Sequence, residues 1–308
     1  MPTASPIRIG TRGSSLARWQ AKWVAQQFNA LDLATELVVV ETLGDRQSGP
    51  IASLDARGVF TKSIQRALLD ERIDLAVHSL KDLPTEPVPG LGLACVPPRE
   101  SCADALVGRD GLHVQQLPAG CLVGTGSIRR AAQLKHWRAD LQLHDIRGNV
   151  ETRLEKLDAG QYDALVLAEA GLLRLGLARR ITQVLPPDKM LPAVGQGALG
   201  LEARVDDRHV ITAASALDDP ATHRAVVAER ALLNALRGGC LAPVGAWARM
   251  TEQHMLLLDA VVLDPTGQER IAVTLSGPSA DGAALGVRAA EQLLSQGAAD
   301  LIDTARRS

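Results

Sequence analysis

Short apolar runs alternate with helical periods along most of the chain, a pattern typical of an α/β fold. The first run, residues 7–9, leads into a helix whose expected N-cap is Ser14 or Ser15. Further strands are expected at 36–43, 73–77, 121–124, 141–146 and 162–168, the first of them buried, and helices at 60–70, 127–137 and 149–159. The apolar residues of the first helix fall on one face, namely Leu16, Trp19, Trp23, Val24 and Leu31.

The last part of the chain follows a different pattern. A long helix is expected at 219–236, then strands at 244–249, 255–263 and 270–276, and a helix at 281–296 that closes the chain. Strands in a hairpin followed by a helix indicate a small α+β domain. Two irregular regions stand earlier in the chain. Residues 44–58 predict a mobile surface loop, and the Pro-rich and Gly-rich residues 84–90, followed by residues 97–100, predict a hinge region.

Charge and composition exclude several classes of protein. The 308 residues carry a formal net charge of −2 and only 2% are aromatic, which disfavours a nucleic-acid-binding module. No apolar run approaches the roughly 18 residues of a membrane span, and residues 1–10 lack a signal pattern, so a cytoplasmic protein is expected. The four cysteines show neither a disulfide framework nor metal-ligand spacing, so a reducing compartment and no metal are expected.

Arginines and hydroxyls recur where a predicted strand meets a predicted helix. Such a junction offers free backbone N–H groups, and guanidinium groups match carboxylates bidentately, so the recurrence indicates a polycarboxylate ligand. The alternative is that each arginine is a solvated surface charge beside an ordinary capped helix. The junctions hold Arg12; Thr125, Ser127, Arg129 and Arg130; and Arg147, Gly148, Asn149 and Arg153.

Two further residues are candidates for chemistry. Asp82 follows Lys81 at the end of a predicted strand, where it either forms a surface ion pair or stabilises a developing cation and moves a proton. Cys240 follows two glycines and precedes Pro243, which suggests a thiol presented on a fixed loop, with Arg237 favouring the thiolate. The alternative for Cys240 is a structural cysteine in a turn.

Taken together, these motifs resemble the porphobilinogen deaminase family from about residue 7 to the C-terminus. The order of the motifs carries the resemblance, which rests on Thr11-Arg12 with Ser14, Val77-His78-Ser79-Leu80-Lys81-Asp82, Gly124-Thr125 with Ser127 and Arg129-Arg130, Arg147-Gly148-Asn149, Ala193-Val194-Gly195-Gln196-Gly197, Ala228-Glu229-Arg230 and Gly238-Gly239-Cys240.

The resemblance implies a fold and an activity. Two α/β domains similar to periplasmic binding proteins would face each other across a cleft, residues 1–98 with 198–216 and residues 102–192, and a C-terminal α+β domain of residues 219–308 would carry the cysteine. The family condenses four porphobilinogen molecules head to tail into hydroxymethylbilane, releases ammonia, and serves tetrapyrrole and haem biosynthesis. A dipyrromethane cofactor attached to Cys240 through a thioether would prime the chain. A monomer is expected.

The resemblance also assigns residues. Asp82 would be catalytic. The implied cofactor contacts are Cys240, Asp82, Ser79, Lys81, Thr125, Ser127, Arg129, Arg130, Arg147 and Gly148, and the implied substrate contacts are Arg12, Ser14, Phe60, Asn149, Arg153, Arg174 and Gln196. The chain departs from the family pattern at Gly126, where a serine is usual, at Ser53 and Arg57, where lysines are frequent, and at Arg237, where an acidic residue is common.

A second function remains open from the residues alone. The same fold serves non-catalytic proteins that close two lobes on a small dicarboxylate. Cys240 and Asp82 discriminate between the two, because a simple receptor needs neither.

Overall fold

The computed structural model describes residues 5–41, 61–109, 111–238 and 242–307. The chain divides into two compact units, Met1–Arg99 with Ala198–His223 and Glu100–Gly197 with Arg224–Ser308. The strands are β1 (Ile7–Thr11), β2 (Thr35–Val39), β3 (Leu75–Ser79), β4 (Leu91–Cys95), β5 (Asp104–Gly108), β6 (Leu122–Gly124), β7 (Gln142–His144), β8 (Ala164–Ala168), β9 (Gln183–Val184), β10 (Leu199–Arg204), β11 (Val244–Met250), β12 (Met255–Leu263) and β13 (Arg270–Pro278). The α-helices are α1 (Ser15–Asn29), α2 (Lys62–Leu69), α3 (Ile128–Trp137), α4 (Val150–Asp158), α5 (Glu169–Arg174), α6 (Arg208–Ser215), α7 (Pro220–Ala235), α8 (Gly282–Ser295) and α9 (Ala298–Arg307).

The first unit is built on a five-stranded sheet in the order β2-β1-β3-β10-β4. β1 runs parallel to β2 and β3, whereas β10 returns antiparallel between β3 and β4. A Cβ at Gly10 would lie 2.2 Å from the Cδ1 atom of Ile73, so glycine lets β1 pass close to the start of the β3 segment. The C-terminal ends of β1 and β3 therefore lie side by side.

The second unit contains two sheets. The first has the order β7-β6-β8-β5-β9, in which β6 is parallel to β7 and β8, and β5 is antiparallel to its neighbours β8 and β9. The second is the antiparallel meander β11-β12-β13, covered by helices whose buried residues include Leu232, Leu285 and Ile302. The α/β class expected for the two sheet-and-helix regions and the α+β class expected for the C-terminal region are confirmed.

Three details of the sequence-based expectation are wrong. The strand expected to be buried, β2, lies at a sheet edge, where Leu37 and Val39 are exposed. α1 buries Gln20, Ala21, Val24, Ala25 and Phe28, so the face through Leu16 and Trp19 is only partly covered and Leu31 lies exposed beyond the helix. The helix at 281–296 does not close the chain, because α9 follows it and packs Leu301 and Ile302 into the C-terminal core.

The three-domain division stays a prediction. Each predicted domain has its own sheet, but the second compact unit groups the second predicted domain with most of the third. In that unit Ala132 of α3 packs in one apolar cluster with Leu191 and with Val261 and Leu263 of β12. Within the described ranges, no helix is long and apolar enough to cross a membrane.

Asp74 immediately precedes β3 and contacts Arg8 of β1. Both residues lie at the end of the first sheet opposite to the C-terminal ends of these two strands. Its carboxylate accepts hydrogen bonds from the Arg8 guanidinium at 2.6 and 2.9 Å and from Arg204 at 3.3 Å. Burial alone would raise the pKa of Asp74, but the hydrogen bonds and charges of Arg8 and Arg204 hold it below its ordinary value of 3.8. The ion pairs of Asp74 with Arg8 and Arg204 therefore stabilise the fold only while Asp74 is ionised.

We expect Asp74→Asn to destabilise the protein at pH 7 by about 2 kcal/mol, because charged hydrogen bonds are lost between β1 and β3. A carboxyl group with a lowered pKa in the folded state contributes its stability above its unfolded pKa and loses it as the pH falls through the folded value. The difference between wild type and variant should therefore shrink below about pH 4. Urea unfolding followed by circular dichroism at pH 7 and pH 3 measures it, with the exposed Asp303→Asn as control. A difference that stays constant with pH contradicts this account.

Candidate functional site

The loop after β1 is built around a helix N-terminus. Ser14 is the N-cap of α1, and its side chain accepts a hydrogen bond from the Ala17 N–H. The buried Thr11 donates its hydroxyl to the Ala17 carbonyl at 2.9 Å, which fixes the end of β1 against the first turn of α1. Arg12 stands between these two anchors, so its position is set by the strand end and the cap together.

The strand β3 ends beside that loop and leads into a 3₁₀ turn, Leu80–Asp82. Ser79 exchanges hydrogen bonds with Gln20 of α1 at 2.8 and 3.3 Å, and the Leu80 N–H donates to the Ala198 carbonyl at 3.0 Å. The return strand and α1 therefore both hold the turn. Asp82, at its end, is exposed.

A pocket in the first unit collects these residues. Its lining includes the predicted site residues Arg12, Ser14, Ser79 and Asp82. Gln20 and His78 also line it, although the sequence analysis gave neither a role. Lys81 is not among its lining residues. The structure thus brings four of the five described site residues of this unit to one pocket.

A buried polar network lies behind this pocket. His78 Nε2 is 3.0 Å from Glu202 Oε2, and Gln65 donates to the other oxygen of Glu202 at 2.9 Å. Glu202 lies on β10 and Gln65 on α2, so their hydrogen bonds tie β3 to both elements. The sequence gave no signal for the network, because Glu202 is 124 residues from His78 and 137 from Gln65.

In the second unit, the junction between β6 and α3 repeats the arrangement of strand end and capped helix. Ser127 is the N-cap of α3, and the buried Thr125 accepts a hydrogen bond from the Ser127 N–H at 3.3 Å. The neighbouring Gly126 has little room for a side chain: a Cβ there would lie 2.9 Å from the Ile146 carbonyl oxygen and 3.3 Å from Oδ1 of Asp145. Glycine at this position, where the family pattern has serine, therefore lies where the loop before α3 closely approaches the loop that contains Asp145 and Ile146.

The two arginines that follow are buried, contrary to the alternative that they are solvated surface charges. Arg129 Nη1 is 2.7 Å from Oδ2 of Asp104, and Arg130 Nε is 2.8 Å from Oδ1 of the same residue. Arg129 also donates to the Leu191 carbonyl at 2.6 Å, and Arg130 to the Val166 carbonyl at 3.0 Å. Asp104 is fully buried at the start of β5.

Gln196 completes this cluster. Its side-chain N–H groups donate to Asp104 Oδ1 at 2.9 Å and to the Cys102 carbonyl at 2.8 Å, while its oxygen accepts from Arg130 at 3.4 Å. Burial alone would raise the pKa of Asp104, but the charges of Arg129 and Arg130 hold it well below its ordinary range. Asp104 therefore remains ionised.

The junction at the start of α4 is exposed. Arg147 pairs with Asp145 at 2.7 Å, and Arg153 Nε donates to the Gly148 carbonyl at 2.8 Å. Gly148 has a φ of 117°, which favours glycine. Asn149 is the N-cap of α4, and its side-chain oxygen accepts from the N–H and the hydroxyl of Thr152 at 2.8 and 2.7 Å. Among the contacts of the described residues, those of Asn149 use its side-chain oxygen and leave its amide N–H₂ for a ligand.

Arg174 is the last residue of α5. Its Nη2 donates to the Gly197 carbonyl at 2.7 Å, and burial lowers its pKa, an effect that nearby Glu100 opposes. Gly197 has a φ of 85°, and a Cβ there would lie 2.4 Å from the Glu100 carbonyl oxygen. Arg174 is thus held against the segment that contains Gln196.

A second buried carboxylate, from the C-terminal region of the chain, binds the segment that contains Gln196. Glu229 of α7 is fully buried and accepts from the Gly195 N–H at 2.7 Å and the Ala248 N–H at 2.9 Å. The sequence placed Glu229 in a motif without assigning it a role. Two predicted site residues, Cys240 and Phe60, lie outside the described residues, as do Ser53, Arg57 and the loop 44–58.

The arginine cluster fits an anionic group. Two buried guanidiniums, those of Arg129 and Arg130, share one buried carboxylate, that of Asp104. Among the described residues, the buried Nε of Arg129 has no hydrogen-bond partner. The N-terminus of α3 adds a partial positive charge. Strand ends that present arginines, hydroxyls and helix N-termini in each unit define an α/β protein whose strand–helix junctions are suited to anions. No group of metal-ligating side chains was found in the described ranges.

Comparison with known proteins identifies the family within this class. The family model described as "Porphobilinogen deaminase, dipyromethane cofactor binding domain" matches residues 7–212, and the family's C-terminal domain matches residues 223–295. A porphobilinogen deaminase of Syntrophotalea carbinolica is 48% identical over 96% of this chain and 95% of its own length. One from Pelotomaculum thermopropionicum is 45% identical over 98% and 97%. The chain belongs to the porphobilinogen deaminase family, which confirms the resemblance found in its motifs.

Solved structures of lower similarity were also found. The VFT2 domain of BvgS from Bordetella pertussis aligns with a TM-score of 0.40 and 14% identity, covering 67% of this chain and 84% of that domain. An arginine-specific periplasmic binding protein of Salmonella typhimurium aligns with a TM-score of 0.39 and 13% identity, covering 70% and 92%.

We expect Gly126→Ser, which restores the residue usual in the family, to destabilise this chain by about 1–3 kcal/mol, because the new Cβ must displace the Ile146 backbone. Gly126→Ala separates the effect of the Cβ from that of the hydroxyl, and both variants should lower the thermal midpoint. The control is Gly13→Ser, where a Cβ would meet only Val39 Cγ1 at 3.9 Å. Unchanged midpoints for both Gly126 variants would show that the loop yields freely.

Proposed function

We propose that this chain condenses four porphobilinogen molecules head to tail into hydroxymethylbilane, as a transferase of tetrapyrrole biosynthesis that releases ammonia. The observation that carries the proposal is the pocket that gathers Asp82 with Arg12, Ser14 and Ser79 at the C-terminal ends of β1 and β3. It combines an exposed carboxylate with donors for a carboxylate ligand. Membership of the porphobilinogen deaminase family supports the same reaction.

Asp82 is the catalytic residue in this proposal. When ammonia leaves porphobilinogen, the C–N bond breaks and a positive charge develops on the pyrrole and its methylene carbon. A carboxylate beside that charge lowers the energy of the transition state. After the new C–C bond forms, the attacked ring must lose a proton, and Asp82 can assist its removal. The exposed position of Asp82 leaves its oxygens accessible to a pyrrole N–H.

The arginines hold the carboxylates. Each pyrrole carries an acetate and a propionate, so every condensation adds two negative charges. Arg129 and Arg130 sit in a preformed buried cluster that suits the dipyrromethane, which is present from the start. Arg147 is exposed, and its guanidinium bonds to Asp145 among the described residues, so it can change partners as the product grows. Arg12, Arg153 and Arg174 are assigned to substrate with Ser14, Asn149, Gln196 and Phe60.

Cys240 is the proposed attachment point of the dipyrromethane, which supplies the ring carbon to which the first substrate is joined. Two of the other three cysteines are poor alternatives. Burial raises the pKa of the Cys121 thiol to about 11, with Asp163 adding to the effect, and burial raises that of Cys95 further. Ser79, Lys81, Thr125, Ser127 and Gly148 complete the proposed cofactor contacts.

The proposal extends to the setting of the enzyme. The charge balance and the lack of a long apolar run support a cytoplasmic protein that binds neither nucleic acid nor membranes. The resemblance to the family implies a monomer. We retain three domains, residues 1–98 with 198–216, residues 102–192 and residues 219–308, because each region has its own sheet. Limited proteolysis combined with sedimentation tests both assignments.

Asp82→Asn should reduce turnover about 10²-fold or more, because the substitution keeps the shape of the side chain and removes its charge. Intact mass first establishes that the variant carries its cofactor, and ammonia release from porphobilinogen then measures turnover. Asp70→Asn, a carboxylate at the end of α2 paired with Arg66, is the matched control and should leave turnover unchanged. Near-normal turnover of a loaded Asp82→Asn protein would exclude the catalytic role.

Cys240→Ser should give a folded protein that lacks the added mass of the dipyrromethane and gives no pyrrole colour in the Ehrlich test, because a hydroxyl group is a far weaker nucleophile than a thiolate. Cys102→Ser is the matched control, since Cys102 is only partly buried and should leave the adduct in place. A full adduct on the Cys240→Ser protein would overturn the assignment.

A further inference from the structure

An acidic side chain stands between two of the junctions that the proposed function assigns to carboxylates. Oδ2 of Asp145 is 2.7 Å from Nε of Arg147, in the loop before α4. A Cβ at Gly126, in the loop before α3, would lie 3.3 Å from Oδ1 of Asp145. The Asp145 carboxylate therefore lies beside one junction and is bound to the arginine of the other.

The backbone of this loop is held by groups other than the Asp145 carboxylate. The Tyr162 hydroxyl donates to the main-chain carbonyl of Asp145 at 2.9 Å. Nζ of Lys156 donates to the main-chain carbonyl of Arg147 at 3.0 Å. Because both hydrogen bonds use main-chain oxygens, they persist when the charge of the Asp145 side chain is removed.

The ion pair between Asp145 and Arg147 is easily exchanged. The two side chains are 55% and 59% exposed. An ion pair at this exposure contributes little free energy, because water solvates both partners and salt screens their attraction. A ligand carboxylate that approaches the Arg147 guanidinium therefore competes with Asp145 and meets its negative charge at short range.

We propose that Asp145 is an internal competitor for Arg147: it binds the guanidinium between ligands and lowers the affinity of this junction for carboxylate groups. The inference rests on the proposed function for the identity of the ligand, a growing pyrrole chain whose acetates and propionates must be bound and released in turn. Without the competing acceptor, Arg147 would hold each carboxylate longer. Asp145 thus sets the affinity of the junction and does not contact the reacting atoms.

The test is a double-mutant cycle of Asp145→Asn, Arg147→Gln and the variant with both substitutions. Asp145→Asn keeps the size of the side chain and removes its charge. Asp158→Asn is the matched control, because the Asp158 side chain is 57% exposed, lies at the end of α4 and pairs with Arg180 at 2.6 Å. This control changes the net charge of the protein by the same amount. All four variants alter exposed side chains and should keep the thermal midpoint of wild type.

The first readout is the binding of citrate, an unreactive polycarboxylate, to the protein as purified, measured by isothermal titration calorimetry at constant ionic strength. We expect Asp145→Asn to lower the dissociation constant about 1.5- to 5-fold, the range for loss of an exposed ion pair. The gain should vanish in the Arg147→Gln background, because Asp145 acts through that guanidinium. Asp158→Asn should bind citrate as wild type does.

The second readout uses porphobilinogen as substrate. Asp145→Asn should lower KM and kcat together, by factors in the same range, because the growing chain is bound more tightly and passed on more slowly. Native mass spectra after a limiting pulse of porphobilinogen should show a larger share of covalent complexes with partly grown chains. A merely structural role for Asp145 would raise KM instead.

Four results would overturn the inference. The first is a strongly lowered thermal midpoint of Asp145→Asn, which would make its carboxylate part of the structure of the loop. The second is a citrate affinity of Asp145→Asn no tighter than that of wild type, including binding too weak to measure in both. The third is a gain that also occurs in Asp158→Asn or persists in the Arg147→Gln background. The fourth is a raised KM of Asp145→Asn.

Failure of the proposed function gives a different result. A wild-type protein that forms no hydroxymethylbilane from porphobilinogen contradicts that function. The citrate titrations of the double-mutant cycle still decide whether Asp145 competes for Arg147, because they need no turnover.

Discussion

Two buried positive charges in the first turn of α3 are the constraint on which the second unit depends. Both burial and the dipole of α3 oppose Arg129 and Arg130 at that place. A partner carboxylate must therefore be buried with them, and β5 begins at Asp104 to supply it. The antiparallel pairing of β5 with β8 brings Asp104 beside the strand whose Val166 carbonyl accepts from Arg130. The ion cluster thus lies at the start of the strand that runs antiparallel to both of its neighbours in this sheet.

In the first unit, neutral groups and one buried carboxylate hold the turn that ends at Asp82. Its turn with Asp82 must stay exposed, yet the backbone that leads to it is buried. The antiparallel return strand β10 meets this need, because it pairs with β3 up to Ser79 and the preceding residue, Ala198, accepts from the Leu80 N–H. Glu202 on the same strand holds His78. A return strand that inserts beside the functional strand therefore fixes the turn without covering its carboxylate.

The parts of the fold that depend on near neighbours could be predicted from the sequence. The caps Ser14, Ser127 and Asn149 bind N–H groups three residues ahead, so a strand end followed by serine or asparagine and a helical period locates each helix start. Asp104 could not be found in this way, since its partners lie 25, 26 and 92 residues away. The edge position of β2 could not be predicted for the same reason. The sequence of an apolar strand is similar at the edge and at the centre of a sheet, so its place depends on strands that are distant in the chain.

Within one motif, some polar groups form hydrogen bonds that stabilise the loop and others remain to bind a ligand. The side-chain oxygen of Asn149 caps α4 by accepting hydrogen bonds from Thr152. Among the described contacts, its amide nitrogen therefore remains for a ligand. Gly126 offers a backbone N–H but no hydroxyl, and the close Ile146 carbonyl explains why a side chain would be crowded there. Arg129 and Arg130 both resemble ligand-binding arginines in the sequence, yet both bind the buried carboxylate of Asp104. The affinity of such a site follows from the charge left after the internal partners are counted, which is smaller than the number of arginines in the motif suggests.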